Sequence, residues 1–124
     1  MNIDELAHAI RAVSNEKVVQ LLADLLIEWK QNQDTAEDLR NTIERYIGNS
    51  WIEKHEDHSK IYQMWTFFRD EAILGIGGMA MNERLYWFSL IDEFDACPYQ
   101  EAKLKIYKKL MASPPNKRFH SRPG

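Results

Sequence analysis

The chain has little of what defines several protein classes. It contains one cysteine, Cys97, which excludes a disulfide within the chain and a disulfide-stapled secreted fold. Its longest apolar stretches, such as residues 21–29, are interrupted by charges and are shorter than the roughly 20 residues that cross a bilayer. The N-terminal residues carry early acids and lack the continuous apolar region of a signal peptide. These absences predict a cytoplasmic protein without membrane spans.

The chain does contain enough apolar material for one folded core. Hydrophobic residues make up 44% of the sequence and include four tryptophans, five tyrosines and five phenylalanines. Disordered chains are poor in such residues, and 124 residues fit a single domain. We therefore expect one helical domain over residues 1–112, followed by a flexible basic tail over residues 113–124.

The charges are distributed unevenly. Residues 1–101 hold all 19 acidic residues and nine basic ones, a net charge of −10, whereas residues 102–124 hold seven basic residues and no acidic one. An acidic body repels the phosphate backbone of a nucleic acid and attracts a basic protein. This distribution favours a basic protein as the partner and disfavours nucleic acid.

Apolar residues recur at three- and four-residue spacing along most of the chain, which is typical of amphipathic helices. Asn2, Thr35 and Asn82 stand where N-caps are expected. The glycines of residues 75–78 break the pattern and predict a turn, although a short extended piece is also compatible, and residues 49–59 could form either a helix start or a solvated loop. The predicted fold is all-α, a single compact bundle of about five to six helices with a glycine-rich turn before the fifth helix.

No motif for catalysis or metal binding is complete. His55 and His58 lie in an acidic run, but on a helix they would be three residues apart with no third ligand fixed by spacing. A Glu-x-x-His match at Glu5 has no second copy, which a di-metal bundle requires. The glycines lack the Lys-Ser/Thr of a phosphate-binding loop, and Cys97 has no histidine close in sequence. We therefore expect no enzymatic activity, no metal and no cofactor.

The segment GGMAMNERLYWFSLIDEFDA, residues 77–96, resembles a recurring segment of small bacterial proteins with the form G-M-T-x-N-E-R-L-(three residues)-G-L, followed shortly by F/W-D. These proteins resemble the cytoplasmic immunity proteins of polymorphic or contact-dependent growth inhibition toxin systems. The preceding HSKIYQMWTFFRDEAI fits the same picture, so the resemblance covers roughly a third of the chain. Ala80 replaces the threonine of the segment and Ser89 replaces its glycine.

The resemblance implies an immunity protein that binds a cognate toxin, for example a nuclease, and covers its active site. Within the segment we expect structural roles, with Asn82 as a cap, Glu83 at the positive end of the helix and Arg84 bridging to a carboxylate.

Toxin contacts are expected outside these shared residues, because each immunity protein must discriminate its own toxin. Acidic residues would attract a basic toxin and two tryptophans would anchor it. The predicted contact residues are Trp51, Glu53, Glu56, Asp57, Asp70, Glu71, Trp87, Asp92 and Asp95. The alternatives are a helical adaptor or nucleic-acid-associated regulator that uses the basic tail, and a small enzyme whose site the sequence does not show.

Overall fold

The computed structural model describes residues 1–114, and these residues form a helical bundle without strands. A π-helical turn, Arg69–Leu74, continues the fourth helix, and a 3₁₀ turn, Ile76–Gly78, precedes the fifth. The all-α prediction is confirmed, with seven α-helices in place of five to six. They are α1 (Ile3–Arg11), α2 (Lys17–Trp29), α3 (Ala36–Gly48), α4 (His55–Phe68), α5 (Met81–Trp87), α6 (Ile91–Asp95) and α7 (Gln100–Lys109).

The first and third helices begin at reciprocal capping boxes, which satisfy backbone N–H groups that a helix leaves unpaired. The Asn2 side chain accepts a hydrogen bond from the Glu5 amide at 2.9 Å, and the Glu5 carboxylate accepts one from the Asn2 amide at 2.8 Å. Thr35 and Asp38 make the same pair of bonds at 3.2 and 3.0 Å. Asn2 and Thr35 are therefore N-caps, as predicted.

The core is built from apolar residues of α1 to α5, of the turns between them, and of the segments that follow α5 and α7. Large aromatic side chains fill its centre, where the ring centroids of Trp29 and Phe88 are 5.1 Å apart and those of Phe68 and Phe88 are 5.7 Å apart. Trp65 packs on Phe68 at 6.0 Å. Burying four such side chains supplies a large part of the apolar area that stabilises a domain of this size.

The glycine-rich turn depends on steric space at one glycine, Gly75. A Cβ atom on Gly75 would lie 2.8 Å from the Glu71 carbonyl oxygen in the preceding π turn, whereas nothing lies within 4 Å of a Cβ on Gly77 or Gly78. None of these glycines has a positive φ. The turn therefore requires a glycine only at Gly75, where the backbone of the π turn comes close.

Replacing Gly75 with alanine is expected to lower the free energy of unfolding by about 2 kcal/mol, because the backbone must shift to relieve the contact. The matched Gly77→Ala variant has open space around its Cβ and should be neutral or slightly stabilising. Urea denaturation of both variants measures the difference. Equal losses in the two variants would contradict the steric explanation.

The apolar period that runs from Leu85 to Phe94 predicts one helix after Asn82, and this prediction is wrong because the segment is split into α5 and α6. Ser89 adopts φ 53° just after α5, where the amide of Ser89 bonds to the Tyr86 carbonyl at 3.2 Å and that of Leu90 bonds to the Leu85 carbonyl at 2.9 Å. These bonds form a Schellman motif, which ends a helix with a residue in the left-handed region. The glycine of the resembled segment falls at this position, where it would carry no steric penalty.

The predicted cap Asn82 is also wrong. α5 begins two residues earlier than expected, and its N-cap is Ala80. The Glu83 carboxylate accepts a hydrogen bond from the Ala80 amide at 2.8 Å, but alanine has no side-chain oxygen to complete the capping box. The threonine of the resembled segment falls at this N-cap. Both departures from the segment therefore lie at an end of α5.

Restoring these two residues is expected to stabilise the fold. Ala80→Thr should contribute about 1 kcal/mol by completing the cap, and Ser89→Gly about 1 kcal/mol by removing the left-handed strain. The double variant should melt several degrees higher in a calorimetric scan. Asn82→Ala should change stability by less than about 0.5 kcal/mol, because Asn82 is exposed and does not cap the helix. A large loss in that variant would contradict the assignment of Ala80 as the cap.

Two basic side chains connect α7 to the rest of the bundle. Arg84 donates to the carbonyls of Leu110 and Met111 at 3.0 and 2.8 Å, so the predicted bridge from Arg84 to a carboxylate is wrong. Lys109 is 6% exposed and donates to the carbonyls of Asn32 and Asp34, each at 2.8 Å. The guanidinium and ammonium groups thus satisfy carbonyls at the end of α7 and in the loop between α2 and α3.

The last helix, α7, ends at Lys109, ahead of Pro114. Met111 adopts φ 58°, and the amide of Ala112 bonds to the Tyr107 carbonyl at 2.8 Å, so a second Schellman motif ends α7 ahead of Pro114. A flexible tail is predicted over residues 113–124. Only residues 113 and 114 of this segment belong to the described part of the chain, and the prediction for residues 115–124 lies outside it.

Candidate partner-binding surface

Trp51 lies almost entirely outside the fold. Its side chain is 82% exposed, on the loop of residues 49–54 that joins α3 to α4. Residues 49–59 contain both of the predicted elements, because a loop over residues 49–54 is followed by a helix that begins at His55. Burying a tryptophan side chain is strongly favourable, and a tryptophan exposed to this extent lacks that stabilisation. At protein interfaces this residue type often supplies most of the binding energy.

The loop around Trp51 is fixed on both sides of the indole. Ile52 is 7% exposed and belongs to the core, and the Glu53 amide donates to the Glu16 carboxylate at 3.2 Å. On the other side, the Ser50 hydroxyl donates to the Tyr46 carbonyl at 2.5 Å. A side chain presented by a fixed loop loses less conformational entropy when it binds, so these contacts would lower the free-energy cost of any binding through Trp51.

Tyr46 connects this loop to the core of the bundle. Its hydroxyl donates to the Val18 carbonyl on α2 at 2.7 Å. Burial raises the pKa of Tyr46, so the hydroxyl keeps its proton at neutral pH. The loop therefore rests on α3 through Ser50 and on α2 through Tyr46 and Glu16.

Three shallow grooves meet around Trp51. One of about 330 Å³ is lined by Trp51, Glu53, His55 and His58. Through Glu53 it joins a groove of about 390 Å³ whose lining includes Glu16, Lys54 and Asp57, and through Ser50 and His58 it joins one of about 400 Å³ that contains Glu44 and Tyr62. We call these three grooves together the Trp51 surface. Its lining has four carboxylates and one lysine, so it is acidic.

The charge of Glu44 within this surface is partly neutralised by the fold. Its carboxylate accepts hydrogen bonds from Arg69 at 2.9 Å and from the indole of Trp65 at 3.3 Å. The partners Glu44 and Asp70 raise the pKa of Arg69, which stays charged. Glu44 therefore stabilises the packing of α3 on the π turn, and Glu16, Glu53 and Asp57 provide the negative charge available to a partner.

The structure brings together four of the nine predicted contact residues. Trp51, Glu53 and Asp57 line the Trp51 surface, and Glu56 is exposed beside it on the first turn of α4. Acidic residues at this place also suit the positive end of the helix, so their position alone does not require a partner. The exposure of Trp51 has no such structural explanation, and it identifies this surface as the candidate site.

The other five predicted residues lie elsewhere. Asp70 and Glu71 are exposed on the π turn, about 20 Å from Asp57 along the axis of α4 at 1.5 Å per residue. Asp92 and Asp95 are exposed on α6. Trp87 is partly buried against the core and packs on Phe68 at 6.2 Å and on the half-exposed Tyr86 at 6.0 Å. The nine residues therefore do not form one continuous surface.

Sequence reasoning missed Glu16, His58 and Tyr62 as lining residues. Tyr62 had a local signal, because it follows His55 and His58 at helical spacing and so lies on the same side of α4. Glu16 had none, since it is 37 residues away from Glu53 in the chain. Contacts between residues so far apart in the chain can be identified only when the packing of the helices is known.

Several other kinds of site are absent from the described residues. Within residues 1–114, no group of three or more His, Cys, Asp and Glu side chains is arranged to hold a metal ion. No helix in the same range combines the length and the apolar character that crossing a membrane requires. Comparisons with protein families, with characterised proteins and with solved structures found no match to the chain. The functional interpretation therefore depends on the Trp51 surface and on the resemblance of residues 77–96.

Proposed function

We propose that this chain is a cytoplasmic immunity protein that binds a cognate bacterial toxin and neutralises it by covering the toxin's active site. The resemblance of residues 77–96 supports this class of protein. The observation that carries the proposal is Trp51, an 82% exposed tryptophan on a loop held in place by Ile52 and Glu53. In this proposal the chain carries out no reaction and needs no metal or cofactor.

The acidic lining of the Trp51 surface favours a basic toxin, such as a nuclease. An enzyme that acts on nucleic acid presents positive charge to its phosphates, and Glu16, Glu53 and Asp57 offer carboxylates to the same positive surface. Complementary charge accelerates association, and a buried indole slows dissociation. The chain would compete directly with the substrate of such a toxin.

Co-expression with the product of the adjacent upstream gene tests this function. Cells that express this product should stop growing, and they should recover when the wild-type chain is present. Recovery should persist when residues 113–124 are removed, because the Trp51 surface lies outside that segment. A failure of the wild-type chain to protect against a toxic neighbour would refute the proposed function.

A helical adaptor or nucleic-acid-associated regulator is the second candidate, and one observation favours it. The helix α7 exposes Lys105 and Lys108, and the basic residues Lys117, Arg118 and Arg122 follow it in the sequence. This function predicts binding to nucleic acid that weakens steeply with salt and disappears when residues 113–124 are removed. Filter binding at two salt concentrations with a DNA or RNA duplex distinguishes the two candidates.

A further inference from the structure

A further groove, of about 290 Å³, lies where the start of α1 meets the junction between α5 and α6. We call it the Ser89 groove. None of its lining residues belongs to the Trp51 surface, and two of them, Tyr86 and Ile91, are apolar side chains that are 49% and 43% exposed. The lining consists of Asn2, Asp4, Tyr86, Ser89, Ile91 and Asp92.

Ser89 is the unusual residue of this groove. It occupies the left-handed region with φ 53°, and its Oγ is buried without a hydrogen-bond partner among residues 1–114. Each feature costs free energy, and a glycine would remove both. A strained residue with an unpaired polar atom in a groove is the kind of outlier that marks binding sites.

Two polar groups of the groove can accept a hydrogen bond from a partner. Asn2 already caps α1, and Asp4 pairs with Lys30 at 3.0 Å. Asp92 makes no ion pair within the described range, and the Ser89 hydroxyl can accept a hydrogen bond after rotation about its Cα–Cβ bond. The half-exposed ring of Tyr86 offers a face that attracts cations.

We propose that the Ser89 groove binds a lysine or arginine side chain of the protein partner. Asp92 pairs with the positive charge, the Tyr86 ring packs against it, and Ile91 contacts the aliphatic stem. The Ser89 hydroxyl accepts an N–H at the floor of the groove. The partner that carries this side chain is the toxin of the proposed function, and the inference rests on that function. The groove adds a second contact that is separate from the Trp51 surface.

A titration of the isolated protein with Nα-acetyl-arginine methylamide, followed by amide chemical shifts, tests the groove without the toxin. Saturable shifts are expected at Tyr86, Ser89, Ile91 and Asp92. Asp92→Asn should weaken the probe about three- to fivefold through loss of the ion pair. Ser89→Gly should weaken it about twofold or more by loss of one acceptor, although the same change stabilises the fold.

Asp95→Asn is the matched control, because Asp95 is exposed on the same helix but does not line the groove. This variant should bind the probe like the wild type. The analogue of the probe in which neutral citrulline replaces arginine should bind neither the wild type nor this variant. Equal shifts with citrulline, shifts confined to other residues, or affinities unchanged by both Asp92→Asn and Ser89→Gly would overturn the proposal. Because no toxin is present, this result is independent of the protection experiment, and either proposal can fail alone.

Discussion

Replacing Lys109 with methionine is expected to lower the free energy of unfolding by about 3 kcal/mol. Methionine retains the apolar stem but leaves the carbonyls of Asn32 and Asp34 without the donor that now lies 2.8 Å from each. It also removes the ammonium that lies 3.9 Å from the centroid of the Trp29 ring. Because these contacts join α7 to the loop between α2 and α3, the loss should appear in the global unfolding transition measured with urea.

Lys108→Met is the matched control for this prediction. Lys108 is the exposed neighbour of Lys109 on the same helix, so its substitution should change stability by less than about 0.5 kcal/mol. If Lys109→Met were as stable as the control, the buried ammonium would not be holding the loop.

Lys109 also gives the stability of the protein a dependence on pH. Burial lowers the pKa of Lys109 from 10.5 to about 8, against the opposing effect of the carboxylates of Asp34 and Asp38. Between these two values the unfolded chain binds more protons than the folded one, so the free energy of unfolding rises with pH. By pH 9.5 the gain should be on the order of 1–2 kcal/mol in the wild type relative to pH 7.

Denaturation of the wild type and of Lys109→Met at both pH values isolates this contribution, because the other titrating groups are common to the two proteins. The difference in stability between them should widen as the pH rises. A difference that stays constant from pH 7 to pH 9.5 would show that the pKa of Lys109 is not lowered by folding.

Replacing Trp51 with alanine is expected to weaken binding of the proposed toxin partner by about 100-fold, the effect of removing a central tryptophan from an interface. The fold should keep its stability, since the side chain is 82% exposed. Calorimetric titration of the purified toxin measures the affinity.

Phe67→Ala provides the control for Trp51→Ala. Phe67 is an exposed aromatic residue on α4, 62% accessible and outside the lining of the Trp51 surface. Its substitution should change the affinity less than about threefold, within the range of a near-neutral contact. Similar losses in the two variants would point to a binding surface other than the one around Trp51.

Helix starts could be predicted where the signal is local. Asn2 with Glu5 and Thr35 with Asp38 are three residues apart, and the capping geometry follows from that spacing. The break at Ser89 has no signal in the residues of this chain, because serine rarely adopts the left-handed conformation and the apolar period continues across it; only the glycine of the resembled segment marks the position. The true cap of α5 was missed because Ala80 offers no side-chain signal.

Long-range contacts limit how much of the interior and of the candidate site can be predicted from the sequence. The partners of Lys109 are more than 70 residues away in the chain, so its burial has no local pattern, and lysine alone indicates a solvated position. At the candidate site, the sequence pointed to Trp51 and to the acids that follow it, because all lie within seven residues. The grooves that join them to Glu16 and Tyr62 depend on how the helices pack.

The most direct test of the central claim is an equilibrium binding measurement between the purified chain and the purified product of the adjacent upstream gene. We predict a one-to-one complex with a dissociation constant in the nanomolar range or below, as expected for a specific interface with a buried aromatic anchor. The affinity should survive removal of residues 113–124. Absence of binding at micromolar concentrations of both proteins would contradict the proposal that this chain is an immunity protein.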